Sequence, residues 1–144
     1  IPRPAGMNSA LEAGGIRYAQ SHQNDPLGCA VAREVIKVLS EQNWINIGAS
    51  KGEFFLQGLK LLVQKYPLVR DARGRGMLIA LELAPNGRLT AETAYVKMLE
   101  KGFLIGYYPA ANLLRFDPAL TIEEENIQSL LKGLDELLNS HSII

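Results

Sequence analysis

The sequence predicts an α/β chain of the α+β sandwich kind: a small, mainly antiparallel sheet with helices packed on it. Three observations point there. Apolar residues recur at helical spacing in four segments, and four short apolar runs lie between them. The resulting order is helix, helix, strand, strand, helix, strand, strand, helix, and such elements bury their apolar sides against one another in layers. The length of 144 residues suits one ordinary domain with a real core.

Composition narrows the function classes. Apolar residues make up 47% of the chain, and 15 basic residues balance 15 acidic ones, a globular rather than a disordered profile. Zero net charge argues against non-specific nucleic-acid binding, which needs a basic face. No uncharged apolar stretch is long enough to span a membrane. The opening Ile1-Pro2-Arg3-Pro4-Ala5-Gly6 has no apolar secretory core, so a cytoplasmic protein is expected. The single cysteine, Cys29, excludes an internal disulfide and reads as a small buried thiol. His22 and His141 lie far apart without companion cysteines, so no metal site is expected.

In chain order, residues 1–16 are expected to be a poorly ordered lead or an expression remnant, residues 17–26 a junction loop, and residues 27–144 the folded domain. Asp25 suits the N-cap of the first helix and Pro26 its first turn, with Leu27, Val31, Val35, Val38 and Leu39 forming one stripe. A second helix runs from about Ile45 to Lys65, with Ile47, Phe54, Phe55, Leu59, Leu62 and Val63 inward and Pro67 stopping it. Gly48, Gly52 and Gly58 either weaken that helix or mark close packing. Leu68–Arg73 and Met77–Leu83 read as strands joined through Gly74-Arg75-Gly76, and Asn86-Gly87 as a turn. Thr90 caps a third helix that Gly102 ends. Strands follow near Phe103–Tyr107 and Leu113–Phe116. Thr121 and Glu124 have capping-box spacing for a last helix with Ile127, Leu130, Leu131, Leu134 and Leu138 inward.

Arg115 stands out, set in the apolar run Leu113-Leu114-Arg115-Phe116. A guanidinium deprived of water needs a carboxylate, phosphate or carbonyl partner, and its planar fork grips a carboxylate as a lysine cannot. From the local residues alone, a structural ion pair or a snorkelling side chain is the preferred reading. Arg73-Gly74-Arg75-Gly76 reads as a tight hairpin rather than a phosphate loop, because a strand and not a helix follows. Glu123-Glu124-Glu125 complements a helix macrodipole. Tyr107 and Tyr108 border a ligand cleft or simply pack. Ser21 and His22 precede a helix start, where donors bind an anion or stabilise the turn.

Three segments together resemble the C-terminal part of class III aminotransferases, pyridoxal-phosphate enzymes of fold type I. They are Ser21-His22-Gln23-Asn24-Asp25-Pro26-Leu27-Gly28-Cys29-Ala30, Val69-Arg70-Asp71-Ala72-Arg73-Gly74-Arg75-Gly76-Met77 and Leu114-Arg115-Phe116-Asp117-Pro118-Ala119-Leu120-Thr121. The resemblance implies that residues 27–144 form the family's small domain, packed in the parent enzyme against a large catalytic domain in a homo-oligomer. It implies that Arg115 binds the substrate's α-carboxylate, and that Ser21, with His22 beside it, lies where the family's junction threonine reaches the cofactor phosphate. Both glycines usual at that junction are missing here. The Schiff-base lysine and the aspartate that faces the pyridine nitrogen have no counterpart, and Lys37, Lys51, Lys60, Lys65, Lys97, Lys101 and Lys132 read as helix-surface residues. The expectation is therefore a fragment, a truncated product or one piece of a split assembly, with no catalytic residue of its own and no pyridoxal phosphate bound alone. The parent would move an amino group between an amino compound and a 2-oxo acid. The alternatives are a piece of a related aminomutase or decarboxylase, and a stand-alone carboxylate-binding or dimerisation module.

Overall fold

A computed structural model describes residues 25–85 and 88–142. The lead at residues 1–16, the junction residues up to Asn24 and the Asn86-Gly87 turn lie outside the described residues. The chain divides into two compact units, Ile1–Val38 and Leu39–Ile144.

Helix α1 (Pro26–Glu41) crosses that division. It starts as the sequence requires: the Asp25 carboxylate accepts from the Leu27 amide at 3.0 Å, and Pro26 takes the first position, where no intrahelical donor is needed. Leu27, Val31, Val35, Ile36 and Val38 are exposed on it. Cys29 is exposed too, contrary to the expected buried thiol, because no residue of α1 is buried.

The second unit carries α2 (Trp44–Lys65), β1 (Val69–Arg75), β2 (Leu78–Leu83), α3 (Ala91–Glu100), β3 (Gly106–Tyr108), a short 3₁₀ turn (Pro109–Ala111), β4 (Leu113–Phe116) and α4 (Glu124–Ser142). The four strands form one antiparallel sheet, as the sequence predicts, and the structure orders them β1-β2-β4-β3. Period-two alternation sends Ala72, Ile79, Leu81, Leu83, Leu114 and Phe116 to one face. There they meet Phe55, Leu59 and Leu62 of α2, Ala94 and Met98 of α3, and Ile127, Leu134 and Leu138 of α4. Phe55 and Phe116 meet edge to face, with ring centroids 5.2 Å apart.

Gly52 lies on the buried stripe of α2, and a Cβ there would collide with the carbonyl of Gly76. Helix backbone therefore rides directly on the β1–β2 turn. That turn is Gly76-Met77, since Arg75 pairs with Leu78. Gly76 has φ +55° and Met77 is not among the positive-φ residues, the pattern of a type II′ hairpin. Gly74 thus belongs to β1 rather than to the turn.

Two other expectations fail. Phe54 is 37% exposed, because it sits one residue and about 100° round the helix from the buried Phe55. The Thr121–Glu124 capping box does not define the start of α4, which begins at Glu124. Ala119–Ile122 instead makes its own turn, with the Ile122 amide donating to Ala119 O at 3.0 Å. Lys51 donates to the carbonyls of Leu120 (3.4 Å) and Ile122 (2.5 Å), which pins that turn to α2. Thr90 caps α3 as expected, accepting from the Thr93 amide at 3.1 Å, and Gly102 follows the helix at φ +89°.

At the far end of α2, Lys65 and the Tyr66 hydroxyl both donate to Asp135 of α4, at 2.7 and 2.9 Å. The bond from Lys65, then the one from Tyr66, hold the Asp135 carboxyl below its ordinary value. A carboxyl lowered in the folded state adds stability above its unfolded pKa and loses it as pH falls through the folded one. Asp135→Asn is expected to flatten the fall in urea-unfolding midpoint between neutral pH and about pH 3. Gly52→Ala is expected to lower stability by about 1–3 kcal/mol, because the atom it would press on is backbone and cannot turn aside; urea unfolding of the full chain measures this too.

Candidate substrate-carboxylate site

Strand β4 builds the site by alternation. Leu114 and Phe116 go into the core, so Arg115 between them points to the opposite face of the sheet. Register places Arg73, Ala80, Arg115 and Gly106 in one row across the four strands on that face. Gly106 stands directly opposite Arg115, and a Cβ on it would lie 3.3 Å from the Arg115 Nε. The bare glycine gives the guanidinium stem a bed against β3.

Two groups hold the guanidinium. Nη1 donates to the Tyr108 hydroxyl at 2.7 Å, and Cζ stands 5.5 Å from the Tyr108 ring centroid. Nη2 lies 3.3 Å from Asp117 Oδ2, a long contact for a charge-assisted pair. Nε is buried and has no hydrogen-bond partner among the described residues. The side chain remains 40% exposed. It is therefore neither sealed in a structural pairing nor lying free over apolar surface, the two plain readings of the sequence.

Arg115 also lines an open cavity of about 350 Å³ with Leu104, Ile105, Asp117, Pro118 and Asn126. The walls are mostly apolar, with one cation, one carboxylate and one amide among the lining residues.

Arg73 makes an instructive contrast. It sits two strands away in the same row but is already held by Asp71 at 2.8 Å and Glu82 at 2.6 Å. Its pKa is raised, first by the Asp71 bond and then by Glu82. Its charge is engaged within the sheet, whereas Arg115 has one loose carboxylate contact. Tyr107 stacks on Tyr95 with centroids 4.7 Å apart, so of the two tyrosines only Tyr108 serves the arginine. Glu124 and Glu125 occupy the first turn of α4, as a macrodipole complement does.

Tyr108 and Asp117 were legible only in part. Tyr108 reads in the sequence as a cleft neighbour or a packing residue, and Asp117 is two residues from Arg115, the spacing that keeps extended residues on one side. The proposed cofactor contacts Ser21 and His22 lie outside the described residues.

A family model described as aminotransferase class-III matches residues 3–138. The chain belongs to the class-III aminotransferases. Acetylornithine aminotransferase of Methanocaldococcus jannaschii is 37% identical over 113 residues, covering 78% of this chain and 27% of that protein. The mitochondrial acetylornithine aminotransferase of Eremothecium gossypii is 32% identical over 136 residues, covering 94% of this chain and 30% of that one. Among solved structures, Plasmodium falciparum ornithine delta-aminotransferase superposes with a TM-score of 0.77 at 23% identity, over 88% of this chain and 32% of that chain. A Pseudomonas jessenii omega transaminase mutant gives 0.73 at 20%, over 96% and 33%. These two likenesses are of fold. The chain spans about a third or less of the length of the proteins it matches.

Class-III aminotransferases work through pyridoxal phosphate. The described residues do not fit that group. No lysine lines the Arg115 cavity. Lys51 is tied to the Leu120 and Ile122 carbonyls, Lys65 to Asp135, Lys97 to Glu100 and Lys101 to Glu136.

Tyr108→Phe removes the short bond to Nη1 while keeping the ring. Rotation about the Arg115 Nε–Cζ bond, read from guanidinium nitrogen resonances, is expected to speed up severalfold.

Proposed function

We propose that this chain forms the carboxylate-gripping wall of an aminotransferase that moves an amino group between an amino compound and a 2-oxo acid. The observation that carries the reading is Arg115: half exposed, steadied by Tyr108 and facing an apolar cavity. Both partners of an amino-group transfer carry a carboxylate when they are an amino acid and a 2-oxo acid. One guanidinium can therefore serve both halves of the cycle. Acetylornithine, the compound in the relatives' names, presents such a group.

Within this reading the chain's residues bind and orient. Arg115 fixes the carboxylate, which limits the substrate's remaining freedom to rotation about one bond. Ile105 and Pro118 line the cavity with apolar surface beside the guanidinium, where an ion pair is stronger than in open water. The amine that would hold pyridoxal phosphate comes from outside the described residues, and Ser21 with His22 would contribute to its phosphate. Residues 27–144 would act as the small domain beside a large catalytic domain. The reading extends to a cytoplasmic homo-oligomer, and the exposed Leu27, Val31 and Ile36 of α1 support association. Among the described residues no helix is long and apolar enough to cross a membrane.

Arg115→Lys keeps the charge and loses the fork. It is expected to weaken pyruvate binding to the full chain about tenfold, the worth of a hydrogen bond to a charged group. Titration followed by nitrogen–proton resonances measures this. Equal affinity in the two proteins would remove Arg115 from the role.

A further inference from the structure

Tyr108 brings more to Arg115 than a support requires. Its ring already lies against the guanidinium, with Cζ 5.5 Å from the centroid, a contact that a phenylalanine would also give. The hydroxyl adds an acceptor for Nη1 at 2.7 Å. An arginine can only donate, so the hydroxyl's own proton is not spent in that bond. Among the described residues that proton meets no acceptor. Tyr108 is 48% exposed, which leaves room for a ligand to reach this donor. Nε is buried, so a ligand meets the guanidinium at its two Nη nitrogens. Each of them carries a pair of hydrogens. Nη1 gives one to Tyr108, and the 3.3 Å contact with Asp117 takes at most one from Nη2.

We propose that Tyr108 is a substrate-binding residue, whose hydroxyl donates directly to the ligand carboxylate beside Arg115. The proposal rests on the reading of Arg115 as a carboxylate site. On a planar guanidinium the second hydrogen of Nη1 points about a third of a turn away from the one that Tyr108 accepts. A single oxygen lying along that direction is out of reach of the hydroxyl. A carboxylate spans the gap, with one oxygen accepting from Nη1 and the other from Tyr108. An amide in the same place would set its own NH₂ group against one of the two donors, so the pair selects for a carboxylate. The phenol is neutral and adds its bond without a second cation to desolvate. Donation from Nη1 also polarises the O–H and makes it a stronger donor. Tyr107, its neighbour in sequence, is stacked on Tyr95 and takes no part.

The test is pyruvate binding to the full chain at about pH 6, where carboxylates are ionised and the phenol keeps its proton. The Arg115 guanidinium nitrogen resonances report it. Tyr108→Phe is expected to weaken binding about three- to tenfold, the net worth of one hydrogen bond. A second replacement separates direct contact from support of the arginine. With 3-fluorotyrosine in place of Tyr108 the phenol becomes a stronger donor and a poorer acceptor. Donation to the carboxylate then requires tighter pyruvate binding than in the natural protein, whereas a hydroxyl that only accepts from Nη1 gives weaker or equal binding. Weaker or equal binding would therefore overturn the proposal. So would an unchanged affinity in Tyr108→Phe. Failure of the underlying reading looks different: Arg115→Lys would then bind pyruvate as well as the natural protein does.

Discussion

Leu114 and Phe116 are fully enclosed by the helices, and in an extended strand the residue between them has only the opposite face to occupy. Everything about the site follows from that alternation. A slip of one residue in the β2–β4 pairing would drive the guanidinium into the core and expose two large apolar side chains. The cost of that swap, a buried unpaired cation together with lost burial, far exceeds any local preference of the strand. The core thus aims the arginine although it does not touch its charged end.

The open face of the sheet shows how charge can be sorted by strand. Arg73 on β1 is answered by Asp71 on its own strand and by Glu82 on β2. Arg115 on β4 faces Gly106, which offers room and no charge. Ala80 separates the two in the row, leaving about two strand spacings, or 9–10 Å, between their backbones. One arginine is engaged by two close carboxylates and the other by one long contact, and the difference lies in their neighbours rather than in their exposure.

The helices and their ends were legible because caps are local. Asp25-Pro26, Thr90 and Gly102 each act within a few residues, and each does in the structure what its chemistry requires. Where the reading missed, a distant contact had intervened. Thr121 lost its capping role to a turn that Lys51 holds from 69 to 71 residues away. Cys29 and Phe54 were assigned to a core by their neighbours in sequence, whereas burial depends on which side of the helix finds cover. Arg115 itself was conspicuous as a cation in an apolar strand. Its partners were not, since the Tyr108 bond depends on how β3 and β4 register, and no local pattern announces that.

Asn112 ties this arrangement together at one point. It adopts a left-handed backbone at φ +46°, its side chain donates to Ala84 O at 3.1 Å and accepts from the Ala91 amide at 2.7 Å, and its own carbonyl accepts from Leu83 at 2.9 Å. The end of β2, the start of α3 and the start of β4 are thereby bolted to one amide. Strand β4 cannot creep along its neighbour without breaking that joint. The backbone of Arg115, three residues further on, is consequently anchored in register, and any force on its side chain is borne by two strands and a helix start together.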